Sequence, residues 1–380
     1  MRGPHLSVSR RTRRTPFTDR VQAAGVKSYT VYNRMLLPAF FKSFENDYRH
    51  LKRHVQVWDV SCERQVEITG PDSAWLLQKL TPRNLAQMQT GQCAYTPMVD
   101  ADGRMLNDPV ILKLAHDHWW VSVADSDLLL WINGLATGFG VDVQICEPHV
   151  SPLGVQGPKA NELMARVFGD AIHKIRFFRF KRLKFRKNTF IIARSGYAKQ
   201  GGFEIYVQGG PETAEPLWDA LMSAGDDLKV RAGCPNLIER IEAGLLSYGN
   251  DMTRDDNPYE CGLGRFCADV KDVDCIGREA LIQAKDTLGR QIRGLMIDGD
   301  KVPACRQIWL VAATDGTAVG YVSSAAWSPD MKTNIAIAMI DKQYWKTGTN
   351  VIVQAPDRAR AAKVCQLPFL SETRIMRKAK

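Results

Sequence analysis

No run of 18 or more apolar residues occurs in the 380-residue chain, so no segment reads as a membrane span. There is no phosphate-binding glycine loop, no GxGxxG, no GxSxG and no HExxH. Those absences remove the usual routes to nucleotide hydrolysis, a Rossmann dinucleotide site, a serine hydrolase and a zinc protease. Gly262-Leu-Gly264 lacks the third glycine of a dinucleotide fingerprint and reads as a tight turn. The nine cysteines are odd in number and include no CxxC pair. Cys261, Cys267 and Cys275 are spaced too irregularly for a zinc site, and no histidine falls among them. No secretory apolar core follows the N-terminus. The chain therefore reads as cytoplasmic, with reduced thiols and no metal.

What is present is a 45% hydrophobic composition, ample for a core, in a length that suits two or three domains. The net charge of +10 is concentrated rather than spread. Residues 1–50 carry ten Lys/Arg against three acids, residues 171–190 carry eight against none, and the remainder is left near −5. A nucleic-acid surface spreads further and interleaves its charge with stacking aromatics, so no nucleic-acid partner is expected. Residues 1–15, with Arg10, Arg11, Arg13 and Arg14, read as a flexible basic arm. The arm loosely resembles a transit peptide but has no clear amphipathic face. From Lys174 to Lys187, apolar and basic residues partly alternate, which predicts a pair of strands with one wet basic face. That face is either a solvated edge that discourages strand-to-strand aggregation or a rim that attracts an anionic ligand.

Periodicity places the other elements. A short helix is expected over 47–57 and a strand at 65–69, ending at the Gly70-Pro71-Asp72 turn. A helix over 73–80 follows, with Asp72 or Ser73 available as its cap. Strands are expected over 91–99, 104–114 and 119–124, and helices over 125–135 and 235–248. Val155-Gln-Gly-Pro-Lys-Ala160 echoes Ile68-Thr-Gly-Pro-Asp-Ser73, which suggests two related α+β units. From about 292 to 370, short strands and turns predict a separate small β domain.

An ordered series of segments then points to one family. Trp58-Asp-Val-Ser61, Ile68-Thr-Gly-Pro-Asp-Ser73, Gly91-Gln-Cys-Ala-Tyr95 and Asp102-Gly-Arg-Met-Leu-Asn-Asp108 form its first part. Gly196-Tyr-Ala-Lys-Gln-Gly-Gly-Phe-Glu-Ile-Tyr206, Arg240-Ile-Glu-Ala-Gly244, Gly262-Leu-Gly-Arg-Phe266, Ile276-Gly-Arg-Glu-Ala-Leu281 and Ser323-Ser-Ala-Ala-Trp-Ser-Pro329 continue it. Together they resemble the glycine-cleavage T-protein (aminomethyltransferase) family over about residues 15–370. Within it, Arg14-Thr-Pro-Phe-Thr18, Tyr29-Thr-Val-Tyr-Asn33, Met35-Leu-Leu-Pro38, the stretch 230–240 and Ser247-Tyr-Gly-Asn-Asp-Met-Thr-Arg254 are similar to dimethylsulfoniopropionate demethylases.

The resemblance implies an α+β, three-domain cloverleaf of the T-protein type around a central folate cavity. Two domains are α+β and the third is a small C-terminal β-barrel. The implied boundaries are 16–60 with 145–280 for a discontinuous folate-binding domain, 61–144 for the second and 281–375 for the barrel. It implies tetrahydrofolate as methyl acceptor, a small sulfonium substrate, and a monomer or homodimer. The basic stretch 174–187 would then be a rim for the acidic tail of a folate, if it is not simply a solvated edge.

A pterin is flat, apolar on its faces and rich in hydrogen bonds at its edge. Its site needs aromatic walls and a carboxylate that accepts two parallel N–H bonds. The resemblance gives that carboxylate as Glu204, which from the strand pattern alone is a surface glutamate. Tyr95, Phe178, Tyr197 and Tyr206 become candidate walls, although isolated aromatics are more often core. Arg240 becomes a candidate for the glutamyl carboxylate of folate, or else a helix-surface ion pair. Asp108 matches the acid beside the one-carbon unit; on pattern alone it is a strand aspartate next to a turn. Tyr32, Asn33, Arg34 and Tyr206 are the further candidates for substrate contact. At 197 the chain carries tyrosine, the glycine-cleavage pattern, where the demethylases often carry tryptophan. The expected reaction is transfer of methyl from dimethylsulfoniopropionate to folate N5. The alternatives are a related folate-dependent transferase acting on another sulfonium or a methylated amine, and a folate-binding protein without turnover.

Overall fold

Strict alternation along Gly202–Gln208 sets the layers of the first half of the fold. Phe203, Ile205 and Val207 are fully buried and belong to one hydrophobic core, so Glu204 and Tyr206 must point to the opposite face of the sheet. In this computed structural model, which describes residues 9–369, that strand lies in a six-stranded sheet. Its order is Phe180–Phe185, Asn188–Ala193, Gly202–Gln208, Val150–Gln156, Gln56–Asp59 and Arg231–Gly233. All neighbours are antiparallel except the last pair. Helices Ala160–Phe168 and Pro211–Ala224 supply Leu163, Met164, Leu217 and Leu221 to the core face.

The chain divides into two compact units. The first combines the described residues through Gln65 with Glu147–Gly196 and Gln200–Asn236. The second takes Val66–Cys146, Tyr197–Lys199 and the chain from Leu237 onward. It contains a five-stranded sheet in the order Gln144–Cys146, Gln65–Thr69, His118–Ser122, Val110–Ala115 and Cys93–Tyr95. Helices Ser73–Leu80 and Leu128–Phe139 bury Leu76, Leu77, Leu80 and Ile132 against it.

The C-terminal part of this unit is a closed six-stranded barrel. Its order is Arg290–Ile297, Thr333–Asp341, Ala318–Ser328, Trp309–Ala312, Asn350–Gln354 and Ala359–Cys365. The alternation of these strands fills the interior with Leu295, Val311, Val322, Ala336, Ala338 and Val353. Their opposite face, with Ile292, Ile335, Ile337 and Met339, packs with Val99, Met105, Ile241 and Leu281. Closure removes the free edges that short strands would otherwise leave.

The expected echo between the two halves exists as backbone geometry. Gly70 and Gly157 follow their strands with φ of +122° and +127°. A Cβ at Gly157 would collide with the His54 carbonyl, and one at Gly70 would lie 2.5 Å from the Asp142 carbonyl. Only glycine meets both demands.

Several boundaries move. The helix expected at 47–57 is Phe44–Leu51, capped by Ser43, and the chain then enters the strand Gln56–Asp59. Tyr48 and Leu51 face the interior, and Val57 enters the core as part of the sheet instead of a helix. The helix expected at 235–248 stops at Ala243 because Gly244 is left-handed, at φ +64°. The strand pair expected from 174 to 187 is Phe180–Phe185 with Asn188–Ala193; residues Asp170–Lys174 form a 3-10 turn. Asp72 stands at the helix N-cap, but its carboxylate accepts the Asp142 N–H at 2.8 Å instead of capping. Residues 1–8 of the expected arm and 370–375 of the expected barrel domain lie outside the described residues.

Candidate active site

In the first unit, register builds one row across the sheet. Trp58 pairs with Gly154, Gly154 with Glu204, and Glu204 with Ala193. Trp58 is 1% exposed and sits on the face opposite its core neighbour Val57. Gly154 puts no side chain between Trp58 and Glu204, and a Cβ there would meet that of Trp58 at 3.4 Å. A buried carboxylate thus lies on a face with a tryptophan, a glycine and Tyr206.

The Ser195 hydroxyl donates to Oε2 of Glu204, and the Tyr206 hydroxyl donates to the same oxygen at 3.4 Å. Among the described residues both bonds end on Oε2, which leaves Oε1 to accept from a ligand. Burial raises the Glu204 pKa, against the pull of Ser195 and Tyr206. A buried carboxylate of this kind gains from two charge-complementary N–H donors, which suits the edge of an aminopyrimidine.

In the second unit, Asp108 follows the strand Met105–Asn107. Asn107 locks the segment: its amide donates to the Ala124 carbonyl at 3.1 Å and accepts the Ala124 N–H at 3.0 Å. The Tyr95 hydroxyl, at the end of Cys93–Tyr95, donates to Asp108 Oδ2 at 2.8 Å. Oδ1 is buried with no hydrogen-bond partner among the described residues. Burial pushes the Asp108 carboxyl up to about 7, and Asp251 adds to the rise, while the Tyr95 bond opposes it. Tyr95 is itself raised by burial and by the neighbouring carboxylate. Its ring meets Phe266 edge-on, at 5.0 Å between centroids.

Tyr197 donates to the Leu246 carbonyl at 2.7 Å and lies 3.3 Å from that of Leu245. Arg240 reaches the same Leu245 carbonyl at 3.3 Å. It also donates to Asp251 Oδ2 at 2.8 Å and to the Ser324 hydroxyl at 2.7 Å. Asp251 is closed off further by Ser323, Ser324 and the Ser247 N–H. Arg240 therefore stands in a buried polar network.

The remaining candidates lie in the first unit. Phe178 is left-handed at φ +55° and packs on Phe177 at 4.7 Å between centroids. Tyr32 ends the strand Ser28–Tyr32, opposite Met35. Between them Asn33 and Arg34 turn with φ of +48° and +61°. The Asn33 amide donates to the Cys62 carbonyl at 2.9 Å, and Arg34 lines a cavity with other arginines. The strand pattern sets Glu204 beside Tyr206; the pairing of Tyr95 with Asp108, and Ser195, Trp58 and Gly154 as neighbours of Glu204, were not expected from the sequence. Period-two counting along Gln56–Asp59 and Val150–Gln156 would have put Trp58 and Gly154 on that face; Ser195 carried no signal.

A family profile for the GCVT N-terminal domain matches residues 17–271, and one for the glycine cleavage T-protein C-terminal barrel domain matches 290–370. The chain belongs to the glycine-cleavage T-protein family. It is 57% identical over 357 residues to dimethylsulfoniopropionate demethylase DmdA of Ruegeria pomeroyi, covering 94% of this chain and 97% of that one. It is 28% identical to an aminomethyltransferase of Lysinibacillus sphaericus, over 95% and 99% of the two chains. The fold is shared with glycine cleavage system aminomethyltransferase T of Bartonella henselae, at TM-score 0.84 and 22% identity over 95% and 98% of the chains. Membership makes this chain a tetrahydrofolate-dependent transferase of the family. Among the described residues no helix is long and apolar enough to cross a membrane, and all nine cysteines are free.

Proposed function

We propose that this T-protein family member moves a methyl group from dimethylsulfoniopropionate to N5 of tetrahydrofolate, giving 3-methylthiopropionate and 5-methyltetrahydrofolate. The observation that carries the choice of substrate is the 57% identity, across 94% of the chain, to a dimethylsulfoniopropionate demethylase.

Tetrahydrofolate, when bound, supplies a nucleophilic N5 and a pterin whose edge offers paired N–H donors. Glu204 fits that edge through Oε1, with Oε2 steadied by Ser195 and Tyr206. Trp58 and Tyr206 give the same face an aromatic lining, and Gly154 keeps the space beside Glu204 clear. Asp108 is assigned to the cationic donor. Its Oδ1, buried and without a hydrogen-bond partner among the described residues, attracts the sulfonium when the carboxyl is ionised, and Tyr95 orients it through Oδ2.

The S–CH3 bond breaks with its electron pair left on sulfur, so a neutral thioether departs without help from an acid. One proton is released for each methyl moved, and Asp108 Oδ1 is poised to hold it before solvent takes it. Catalysis is then chiefly alignment away from water. Tyr32 is retained as a substrate contact. Arg240, engaged with Asp251, is assigned to positioning Tyr197 through the shared Leu245 carbonyl.

Tyr197 favours one second reading, a methyl donor other than dimethylsulfoniopropionate, because tyrosine gives the sulfonium a weaker face than tryptophan does. The test is anaerobic incubation of the protein with tetrahydrofolate and dimethylsulfoniopropionate. Both products in equal amounts, absent without folate, support the reading. Thioether formed without folate, or no product while folate binds, defeats it.

A further inference from the structure

The Trp58 side chain lies over Gly154, the residue that separates it from Glu204 in the sheet row. A Cβ at Gly154 would come within 3.4 Å of the Trp58 Cβ and 3.7 Å of its Cε3. A buried indole needs a partner for its N–H, which can only donate. That partner is Gln56, two residues earlier on the same face of the strand, whose Oε1 accepts from Trp58 Nε1 at 2.8 Å. Gln56 is itself 1% exposed. On the neighbouring parallel strand, Gly233 leaves it room: a Cβ there would lie 2.2 Å from Gln56 Oε1.

The polarity of the contacts behind Gln56 is forced. The indole N–H must meet Oε1, so the amide turns its Nε2 to the other side. Nε2 donates to the Asp47 carbonyl at 2.9 Å and to His50 Nδ1 at 3.3 Å. His50 Nδ1 must then accept, which places the ring proton on Nε2, and Nε2 donates to the Lys229 carbonyl at 2.8 Å. Burial, with the charges of Arg231, His54 and Lys42, holds the His50 pKa down at about 4, against the pull of the Lys229 carbonyl. The imidazole is therefore neutral at ordinary pH and able to accept. Both hydrogens of the Gln56 amide and its oxygen are matched, all by residues of the first unit.

We propose that Gln56, backed by His50, is a positioning residue for folate binding: it keeps the Trp58 N–H turned away from Glu204. The indole then presents hydrocarbon towards the carboxylate, and Oε1 of Glu204 stays available to the pterin edge. The Trp58 and Glu204 backbones are two strand spacings apart, roughly 10 Å, which the two side chains span together. A released indole N–H would seek the carboxylate, a stronger acceptor than any neutral group, and would compete with the ligand for it. The inference rests on the reading of Glu204 as the pterin carboxylate.

The test is anaerobic titration calorimetry of the full chain with tetrahydrofolate. Gln56→Leu is expected to weaken binding by about tenfold, and His50→Leu, at a half-buried position, by about threefold. Gly233→Ala, which drives a methyl group into the Gln56 amide, is expected to act in the same direction should Gln56→Leu fold poorly. Trp58→Phe supplies the second background, because phenylalanine keeps a ring and has no N–H to misplace. There His50→Leu and Gly233→Ala are expected to leave folate affinity where Trp58→Phe sets it, although each still lowers thermal stability. A merely structural role would lower affinity equally in both backgrounds, and that result would overturn the proposal. So would unchanged affinity in all three single variants with folding intact. Glu204→Gln, titrated alongside, separates this inference from the reading beneath it. Weaker binding there, with no effect at Gln56, His50 and Gly233, defeats the positioning role alone; full affinity in Glu204→Gln removes the carboxylate assignment itself.

Discussion

Glu204 is a buried carboxylate and Asp108 a half-buried one, both supported by hydroxyl groups, yet the two units hold them differently. Glu204 stands mid-strand in a sheet, and both its donors, Ser195 and Tyr206, converge on one oxygen. Asp108 follows a strand end that Asn107 pins, with the Tyr95 hydroxyl on Oδ2 and, among the described residues, no hydrogen-bond partner on buried Oδ1. The first arrangement suits recognition of a fixed planar edge, where backbone regularity sets the position. The second keeps an unpaid desolvation cost that a cation can relieve, and its pKa lies near working pH. On the proposed reading, one unit supplies a binding carboxylate and the other a responsive one.

The comparison is broken most strongly at Glu204. Glu204→Gln replaces an acceptor pair with a donor and an acceptor, so one folate N–H loses its partner. A loss of about 100-fold in tetrahydrofolate affinity is expected, from roughly 1.5–3 kcal/mol for each charged hydrogen bond. Titration calorimetry reads it. Asp108→Asn is expected to reverse the pattern: folate affinity within about threefold of the parent, and kcat/KM for the sulfonium down about 10- to 100-fold, again from one charged contact. Complete loss of turnover with substrate binding intact would give Asp108 a more direct chemical part than alignment.

The pH dependence sharpens the contrast. The Asp108 pKa is raised, so the carboxyl is neutral below about 7 and anionic above it. Sulfonium affinity is therefore expected to rise with pH through about 7, and Asp108→Asn is expected to flatten the profile. For stability the sign is opposite. The folded state holds this proton more tightly than the unfolded chain, so the ligand-free protein loses stability as pH climbs from the ordinary carboxylate range towards about 7. Tyr95→Phe removes the bond that holds the Asp108 pKa down, so the midpoint of the activity profile should move upward, with a loss of about tenfold or less at neutral pH. The smallest effect is expected for Ser195→Ala, which removes a donor yet leaves Tyr206 on the same oxygen: a few-fold in folate affinity, with the Asp108 profile unmoved.

Much of the fold was legible because its signals are local. The strand at 65–69 and the helix at 73–80 fall where periodicity put them, and the repeated Gly-Pro turn announced a device used in both halves. Side-chain detail failed where a tertiary partner decided it: Asp72, one of two residues available as a cap, keeps the N-cap position but gives its carboxylate to the Asp142 N–H. Glu204 was named through family resemblance, and alternation with Phe203 and Ile205 explains its face after the fact. Ser195, nine residues earlier, is joined to it only through sheet pairing, which no local pattern encodes. Arg240 was expected at a folate carboxylate; its partner Asp251 lies across a turn and Ser324 lies on a barrel strand, and neither has a local mark in sequence.

The central claim is direct transfer of an intact methyl group from sulfonium to folate. It is tested most directly with dimethylsulfoniopropionate deuterated on both methyl groups, incubated anaerobically with the protein and tetrahydrofolate, with both products read by mass spectrometry. The account predicts a fully deuterated methyl on folate in an amount equal to the thioether, with Glu204→Gln suppressing both together. Thioether accumulating while the folate carries no label, or label arriving with deuterium lost to solvent, would contradict it.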